Sequence, residues 1–151
     1  MKIVYSTNDM FEEPRSIFLA GPTVRSRNDL SWRPAALYYL MYQQFKGQVF
    51  VPEPPPGEKW NWEYEQQVEW EEKCLEAAKC ILFWIPRTLD KMPGFTTNIE
   101  FGRWYRSGKI VVGWPEDAVK MRYIDYYRKK LDIPKADTLY DTVILALNRV
   151  P

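Results

Sequence analysis

The sequence predicts a single-domain α/β sandwich, with a mostly parallel sheet of about five strands flanked by helices. Short apolar runs alternate along the chain with longer amphipathic stretches. Strands that alternate with helices pair in parallel through right-handed crossovers. The strongest run, residues 80–85 (CILFWI), is apolar throughout, as a central parallel strand covered on both faces must be. The length, 151 residues, is that of one ordinary domain. A chain of this size buries roughly two-thirds of its unfolded surface and needs no staples. The whole of 1–151 is therefore read as one flavodoxin-like or Rossmann-like domain.

Each element has its own signal. Residues 16–20 (SIFLA) form a buried strand, stopped by Gly21-Pro22. Residues 34–45 form a helix: proline suits its first turn, and Ala36, Leu37, Leu40, Met41 and Gln44 recur at helical spacing. Residues 48–51 form the second strand, ended by the loop PEPPPG. Residues 62–78 form a helix with a partly polar face, leading into the strand at 80–85. A loop over 86–96 precedes a helix at 98–107, a strand at 109–113 and helices at 118–131 and 138–148. Residues 3–5 make a possible edge strand. In such sheets ligands bind beyond the carboxyl ends of the strands, where strand order reverses. The loops to inspect therefore begin at Gly21, Pro52, Pro86 and Gly113.

Composition narrows the chemistry. The net charge of +1 supplies no bulk attraction to nucleic acid or anionic membrane. No apolar run approaches the length of a membrane span. The N-terminal segment lacks the apolar core of a signal peptide. Cys74 and Cys80 do not have the spacing of a metal or redox motif and are read as packing. A soluble cytoplasmic protein with reduced thiols is expected. There is no histidine, so acid–base or nucleophilic work falls to carboxylates, tyrosine, lysine or cysteine, and a zinc site is not expected. Seven Trp and ten Tyr exceed what a core of this size needs, which points some of them to a pocket or a subunit interface.

Glu100 is the residue on which the functional reading turns. Thr97-x-x-Glu100 matches a capping box, in which the threonine caps a helix and the glutamate reaches back to the cap amide. The same placement suits chemistry. A carboxylate in the first helical turn lies in the positive end of the dipole, which favours its ionised form. At the edge of the central strand it faces the ligand crevice, where it could attack a sugar carbon carrying developing positive charge.

The segments IFLAGP (17–22), SWR (31–33), FVPE (50–53), Trp70-Glu71, ILFWIP (81–86), TTNIEFG (96–102) and GKIVVG (108–113) resemble the nucleoside 2-deoxyribosyltransferase superfamily, and its deoxyribosyltransferase-like branch most nearly. The resemblance covers about residues 16 to 125. It implies that Glu100 is the nucleophile, that a glycosyl ester forms, and that a base or water then attacks with net retention. It implies a proton donor to the leaving base at Glu71. It further implies that Gly21 and Pro22 floor the ribose site, that Thr97 and Asn98 bond the sugar or orient the carboxylate, and that Gly102 lets its helix pack close to the sheet. No cofactor is implied. Relatives in this superfamily are often homo-oligomers that complete the pocket with a neighbour's residues.

The sequence also departs from the better-known transferases. Those carry an aspartate a few residues before the nucleophile, where Pro93-Gly94-Phe95 stands here, with Asp90 further off. A second aspartate would fall near Trp70, which Glu69 and Glu71 flank, and a steadying tyrosine would fall near Phe18. The sugar chemistry is thus expected to be kept while base recognition is rebuilt, with Trp32, Trp70 and Trp84 as candidate stacking platforms.

Each candidate also has a purely structural reading. Trp70 suits a core, Glu71 a solvated face, and Arg33 either a surface ion pair or a ligand contact. Thr23, Arg25, Ser26 and Arg27 follow the first strand, where they could hold a 5′-phosphate or simply face water. The aromatic-basic stretch 121–130 carries interleaved acids, which favours packing or a subunit interface over nucleic acid. The leading expectation is a transferase acting on a small-molecule nucleoside or nucleotide. Its rivals are a hydrolase of nucleosides or nucleoside 5′-monophosphates, a non-catalytic nucleotide-binding module and, more remotely, a single-strand nucleic-acid binder.

Overall fold

A computed structural model describes every residue of the chain except Glu12 and Arg27. Arg27, a candidate phosphate contact, thus lies outside the described residues. The strands are β1 (Lys2–Tyr5), β2 (Ser16–Ala20), β3 (Gln48–Val51), β4 (Cys80–Trp84), β5 (Ile110–Gly113) and β6 (Lys135–Ala136). The helices are α1 (Arg33–Tyr42), α2 (Tyr64–Ala77), α3 (Phe95–Trp104), α4 (Arg122–Lys130) and α5 (Leu139–Leu147).

All six strands are parallel, in the order β1-β3-β2-β4-β5-β6. This is the flavodoxin order with β1 added at one edge, so the expected α/β sandwich is observed with one strand more than about five. The strands β2 to β5 are buried along their whole length, which matches their apolar sequences.

Period-two alternation divides the core into two layers. On one face Phe18, Phe50, Ile81 and Phe83 pack with Trp70, Cys74, Phe101 and Ile124 of α2, α3 and α4. On the other, Ile17, Leu19, Val49 and Leu82 pack with Ala36 and Leu40 of α1 and Val143 and Ala146 of α5. Cys74 and Cys80 lie in different layers, both free. Burial pushes each thiol up to about 12, so neither is nucleophilic near neutral pH.

Two helices begin elsewhere than the sequence suggests. α3 starts at Phe95 behind Gly94, whose left-handed φ of 63° makes it the N-cap. α4 starts only at Arg122, because the chain first turns through Lys120 at φ 58°. α5 is capped as its sequence implies, Thr138 Oγ1 accepting from the Asp141 amide at 3.0 Å. No helix of the described residues is long and apolar enough to cross a membrane.

Between β2 and β4 the chain reverses its direction of growth across the sheet. The crevice beyond their carboxyl ends is therefore the switch point. Gly21 closes it from below. Its φ is 144°, and a Cβ there would stand 2.1 Å from the Trp84 carbonyl oxygen. Gly21→Ala is expected to lower unfolding free energy by roughly 3 kcal/mol, combining backbone strain and overpacking. Denaturant titration checks this, and a loss below about 1 kcal/mol contradicts the close approach.

Candidate active site

Arg33, the first residue of α1, ties the crevice together. Its residue is 1% exposed, and its guanidinium runs back under the end of β2. Nε donates to the Leu19 carbonyl at 3.1 Å and Nη2 to the Gly21 carbonyl at 2.8 Å. Nη1 donates to Thr23 Oγ1 at 3.1 Å and to Glu53 Oε1 at 2.6 Å. Ser31 Oγ donates to the same Glu53 carboxylate. Arg33 thus joins the ends of β2 and β3 as a brace. Four of its donor interactions are thus committed within the protein, which is the structural side of its two readings.

The proposed aromatic platforms are also braces. Trp32 is buried beneath Gly21, its indole N–H donating to the Pro22 carbonyl at 3.1 Å. Trp70 packs against Phe18 with ring centroids 6.5 Å apart, and its N–H donates to the Asn8 carbonyl at 2.9 Å. Trp84 is buried in the layer under α1 and α5. All three indoles are buried, with 7–8% of each residue exposed, so little of their ring surface is left to meet a base.

Two tryptophans not singled out from the sequence stand at the opening instead. Trp60 and Trp62 meet edge to face at 5.2 Å, just after the proline-rich loop. They line a cleft of about 420 Å³ together with Thr23, Gln67, Glu71 and Thr96. The stiff PEPPPG segment followed by Trp-Asn-Trp is the sequence signal that could have found them.

Glu71 is held in that cleft by its own helix. Gln67, one turn earlier, donates from Nε2 to Glu71 Oε1 at 2.5 Å. The Gln67 Oε1 accepts from Trp62 Nε1 at 2.8 Å and from the Ser6 hydroxyl. Gln67 therefore couples the Trp62 wall to the carboxylate, and sequence reading missed it because glutamine carries no motif. Burial pushes the Glu71 pKa up, while the Gln67 bond and the Arg33 charge oppose the rise.

Glu100 lies beside Glu71. It does not line the cleft itself, but its residue remains partly accessible. Its pKa is pushed up to about 8, first by burial and then by the Glu71 charge, with Arg33 opposing. Burial thus works against the ionisation that the helix dipole was expected to favour. Because α3 begins at Phe95, Glu100 falls in the second turn, beyond the reach of the dipole's strongest field. Two carboxyl groups and one guanidinium then share a poorly solvated space. Both carboxyls therefore resist ionisation, and the Glu71 charge adds to the resistance at Glu100. Any reaction that needs one ionised and one protonated carboxyl should follow a bell-shaped pH profile, its alkaline limb near 8. A kcat/KM profile that stays flat from pH 6 to beyond 9 contradicts this assignment.

The other residues of the Glu100 segment divide between two sides of α3. Thr96 lines the Glu71 cleft. Thr97 is fully buried and its Oγ1 has no partner, so the expected capping box does not form; Gly94 caps instead. Asn98 and Gly102 face a different cleft, between α3 and α4. Gly102 is exposed, with nothing within 4 Å of an added Cβ, so close packing on the sheet does not explain it. Pro22 is buried at the crevice floor, within van der Waals reach of Gly94. Thr23, Arg25 and Ser26 line an adjoining cleft of about 530 Å³, which shares Thr23 and Trp60 with the first.

A parallel α/β sandwich that gathers two carboxylates and an arginine at its switch-point crevice defines an α/β domain with a carboxylate-pair site. Residues 14–118 match the family model described as nucleoside 2-deoxyribosyltransferase like. The chain belongs to this nucleoside 2-deoxyribosyltransferase-like family. Among curated proteins none matches the chain. A solved structure described as a conserved protein from Enterococcus faecalis V583 is similar, with a TM-score of 0.61 and 14% identity over 89% of this chain and 98% of that one. At that identity the likeness shows the fold alone.

Proposed function

We propose that the protein cleaves the N-glycosidic bond of a (deoxy)nucleoside through a covalent glycosyl ester on Glu100, with Glu71 as the proton donor and acceptor. The observation that carries this reading is the pairing of Glu100 with Glu71 beside Arg33, at the cleft that Trp60 and Trp62 wall. The working form has Glu71 protonated and Glu100 ionised. A Glu100 oxygen attacks C1′, the C1′–N bond breaks, and its electron pair leaves with the base, which takes the proton from Glu71. An acceptor base or water then gives its proton to Glu71 and attacks C1′. The ester bond breaks and the carboxylate is restored, with net retention.

Trp60 and Trp62 replace the buried indoles as the stacking wall for the base. Substrate contacts from Thr23 at the cleft mouth, and from the Gly21-Pro22 floor, belong to the same reading. A free nucleoside is favoured over a 5′-monophosphate. The Arg25 and Ser26 cleft also contains Asp29, Glu53 and Glu58, and so is not a dedicated phosphate cradle. Part of the cleft wall is apolar and exposed, at Trp60, Tyr64 and Val68. A second copy of the chain covering that wall is part of the proposal.

One observation favours a second reading, in which the two glutamates exchange roles. Glu71 lines the cleft, whereas Glu100 lies off the lining and has its pKa pushed up to about 8 by burial and by the Glu71 charge. In that case Glu71 attacks and Glu100 protonates the base.

The test is a panel of deoxynucleosides, nucleosides and monophosphates, incubated with and without a free acceptor base. Base exchange without free sugar identifies a transferase; free sugar without an acceptor identifies a hydrolase. Ligand that binds but survives prolonged incubation unchanged contradicts the enzymatic reading and leaves a binding module.

A further inference from the structure

The face of α3 turned away from Glu100 carries a second cleft that the reaction above does not use. Successive helix residues rotate by about 100°, so Asn98 and Gly102, two positions either side of Glu100, project opposite to it. Between α3 and α4 they line a cavity of about 390 Å³ with Arg87, Tyr105, Lys120 and Tyr127.

Arg87 is the feature that packing alone does not explain. It is 4% exposed, on the loop that leaves β4. Nη1 donates to the Lys120 carbonyl at 3.3 Å and Nη2 to Asn98 Oδ1 at 2.5 Å. Its Nε is buried with no partner among the described residues. Among the described residues no carboxylate forms an ion pair with it. Asp125, the acid of α4, is engaged by Arg128 and Lys129. A guanidinium withdrawn from water without a counter-ion is costly, and burial does not deprotonate it.

The surroundings suit a particular kind of counter-ion. Lys120 adds a second positive charge at the rim, and among the described residues no acidic side chain lines the cavity. The Asn98 oxygen is turned to Arg87, which leaves its amide N–H groups free to donate. The remaining wall is aromatic: Phe101 stacks on Tyr105 at 6.0 Å, and Tyr105 meets Tyr127 edge to face at 5.2 Å. Gly102 keeps the space open, since nothing lies within 4 Å of an added Cβ.

We propose that this cavity is a second binding site, for a planar aromatic ligand bearing a phosphate monoester. The phosphate sits on Arg87 and Lys120, and the ring lies against Tyr105 and Tyr127. A phosphate monoester carries about −1.5 to −2 charges at neutral pH, which balances the two unpaired cations. The cavity falls within the size range of small-ligand sites.

Phenyl phosphate is the probe, because it has no N-glycosidic bond and is inert to the chemistry assigned to Glu100. Titration calorimetry on the full chain is expected to show one site per chain, with inorganic phosphate alone and phenol alone each at least tenfold weaker. Gly102 has an ordinary helical φ, so Gly102→Leu fills the cavity without strain and improves helix propensity. That variant is expected to bind phenyl phosphate at least tenfold more weakly while its unfolding midpoint holds or rises. Lys120→Ala, at an exposed position, is expected to weaken binding several-fold. Glu100→Gln is expected to bind as the wild type does. No binding to the wild type at millimolar concentration overturns the proposal. So does undiminished affinity in Gly102→Leu, or loss of binding in Glu100→Gln.

Discussion

Glu100→Gln is expected to lose roughly 10³-fold or more in turnover while retaining nucleoside binding. Glutamine keeps the size and part of the hydrogen bonding of the side chain but cannot form the glycosyl ester. The same substitution is expected to stabilise the fold at alkaline pH. The Glu100 pKa stands at about 8 in the folded protein against an ordinary 4.5, so the folded state holds the proton more tightly than the unfolded state does. Below about 4.5 both states are protonated and there is no penalty. From there to about 8 the unfolded chain releases its proton and the folded one resists, so stability falls as pH rises. Above that range the penalty is complete. Glutamine removes it, so the variant's unfolding midpoint should exceed that of the wild type at pH 8.5 and approach it at pH 5. A variant that is inactive and also less stable at both pH values would show that Glu100 has a structural role instead. Loss of activity with a gain in stability is the signature of a carboxylate kept in a poorly solvated site for its chemistry.

Arg33→Met is expected to cost about 3–5 kcal/mol of unfolding free energy, the usual range for removing one partner of a buried ion pair. Such a loss is a large share of the roughly 5–15 kcal/mol that holds a typical domain together. Four donor interactions disappear, and the carbonyls of Leu19 and Gly21 each lose a donor. Glu53 is left with Ser31 alone. In a domain of this size the thermal midpoint should drop by roughly 10 °C. The double variant Arg33→Met, Glu53→Gln should lose less than the sum of the single losses, because the stranded carboxylate is then neutral. Arg33 also holds down the pKa values of Glu71 and Glu100, so in any folded fraction the alkaline limb of activity should move upward. Strictly additive losses, or a loss below about 1 kcal/mol, would contradict the brace.

The fold was legible where the sequence carries period and punctuation. The apolar strand at Cys80–Trp84, the Gly21-Pro22 stop and the proline at the start of α1 each gave a physical reason for an element in the right place. β6 was not legible, because two residues, Lys135–Ala136, show no periodicity; their strand character comes from pairing with Val112 and Gly113. The site was half legible. Glu71 and Glu100 were identifiable as carboxylates near the crevice, but their mutual effect depends on how α2 and α3 pack. The start of α3 was misplaced because Thr97-x-x-Glu100 imitates a capping box, whereas Gly94 with its positive φ begins the helix. The indoles were misassigned because composition counts tryptophans without saying which way they face. Trp32, Trp70 and Trp84 occupy inward positions, and only the loop indoles Trp60 and Trp62 reach the cleft. Arg33 looked available for a ligand because a sequence cannot reveal how many of its donors are already used.

Trapping the covalent adduct tests the account most directly. The protein is incubated with a nucleoside fluorinated at C2′, where the electron-withdrawing substituent slows hydrolysis of a glycosyl ester, and the digested peptides are weighed by mass spectrometry. One added sugar mass, without the base, is expected on the peptide containing Glu100. The same mass on the peptide containing Glu71 would reverse the two roles. Turnover of the unmodified nucleoside with no adduct on either peptide would contradict the covalent mechanism itself.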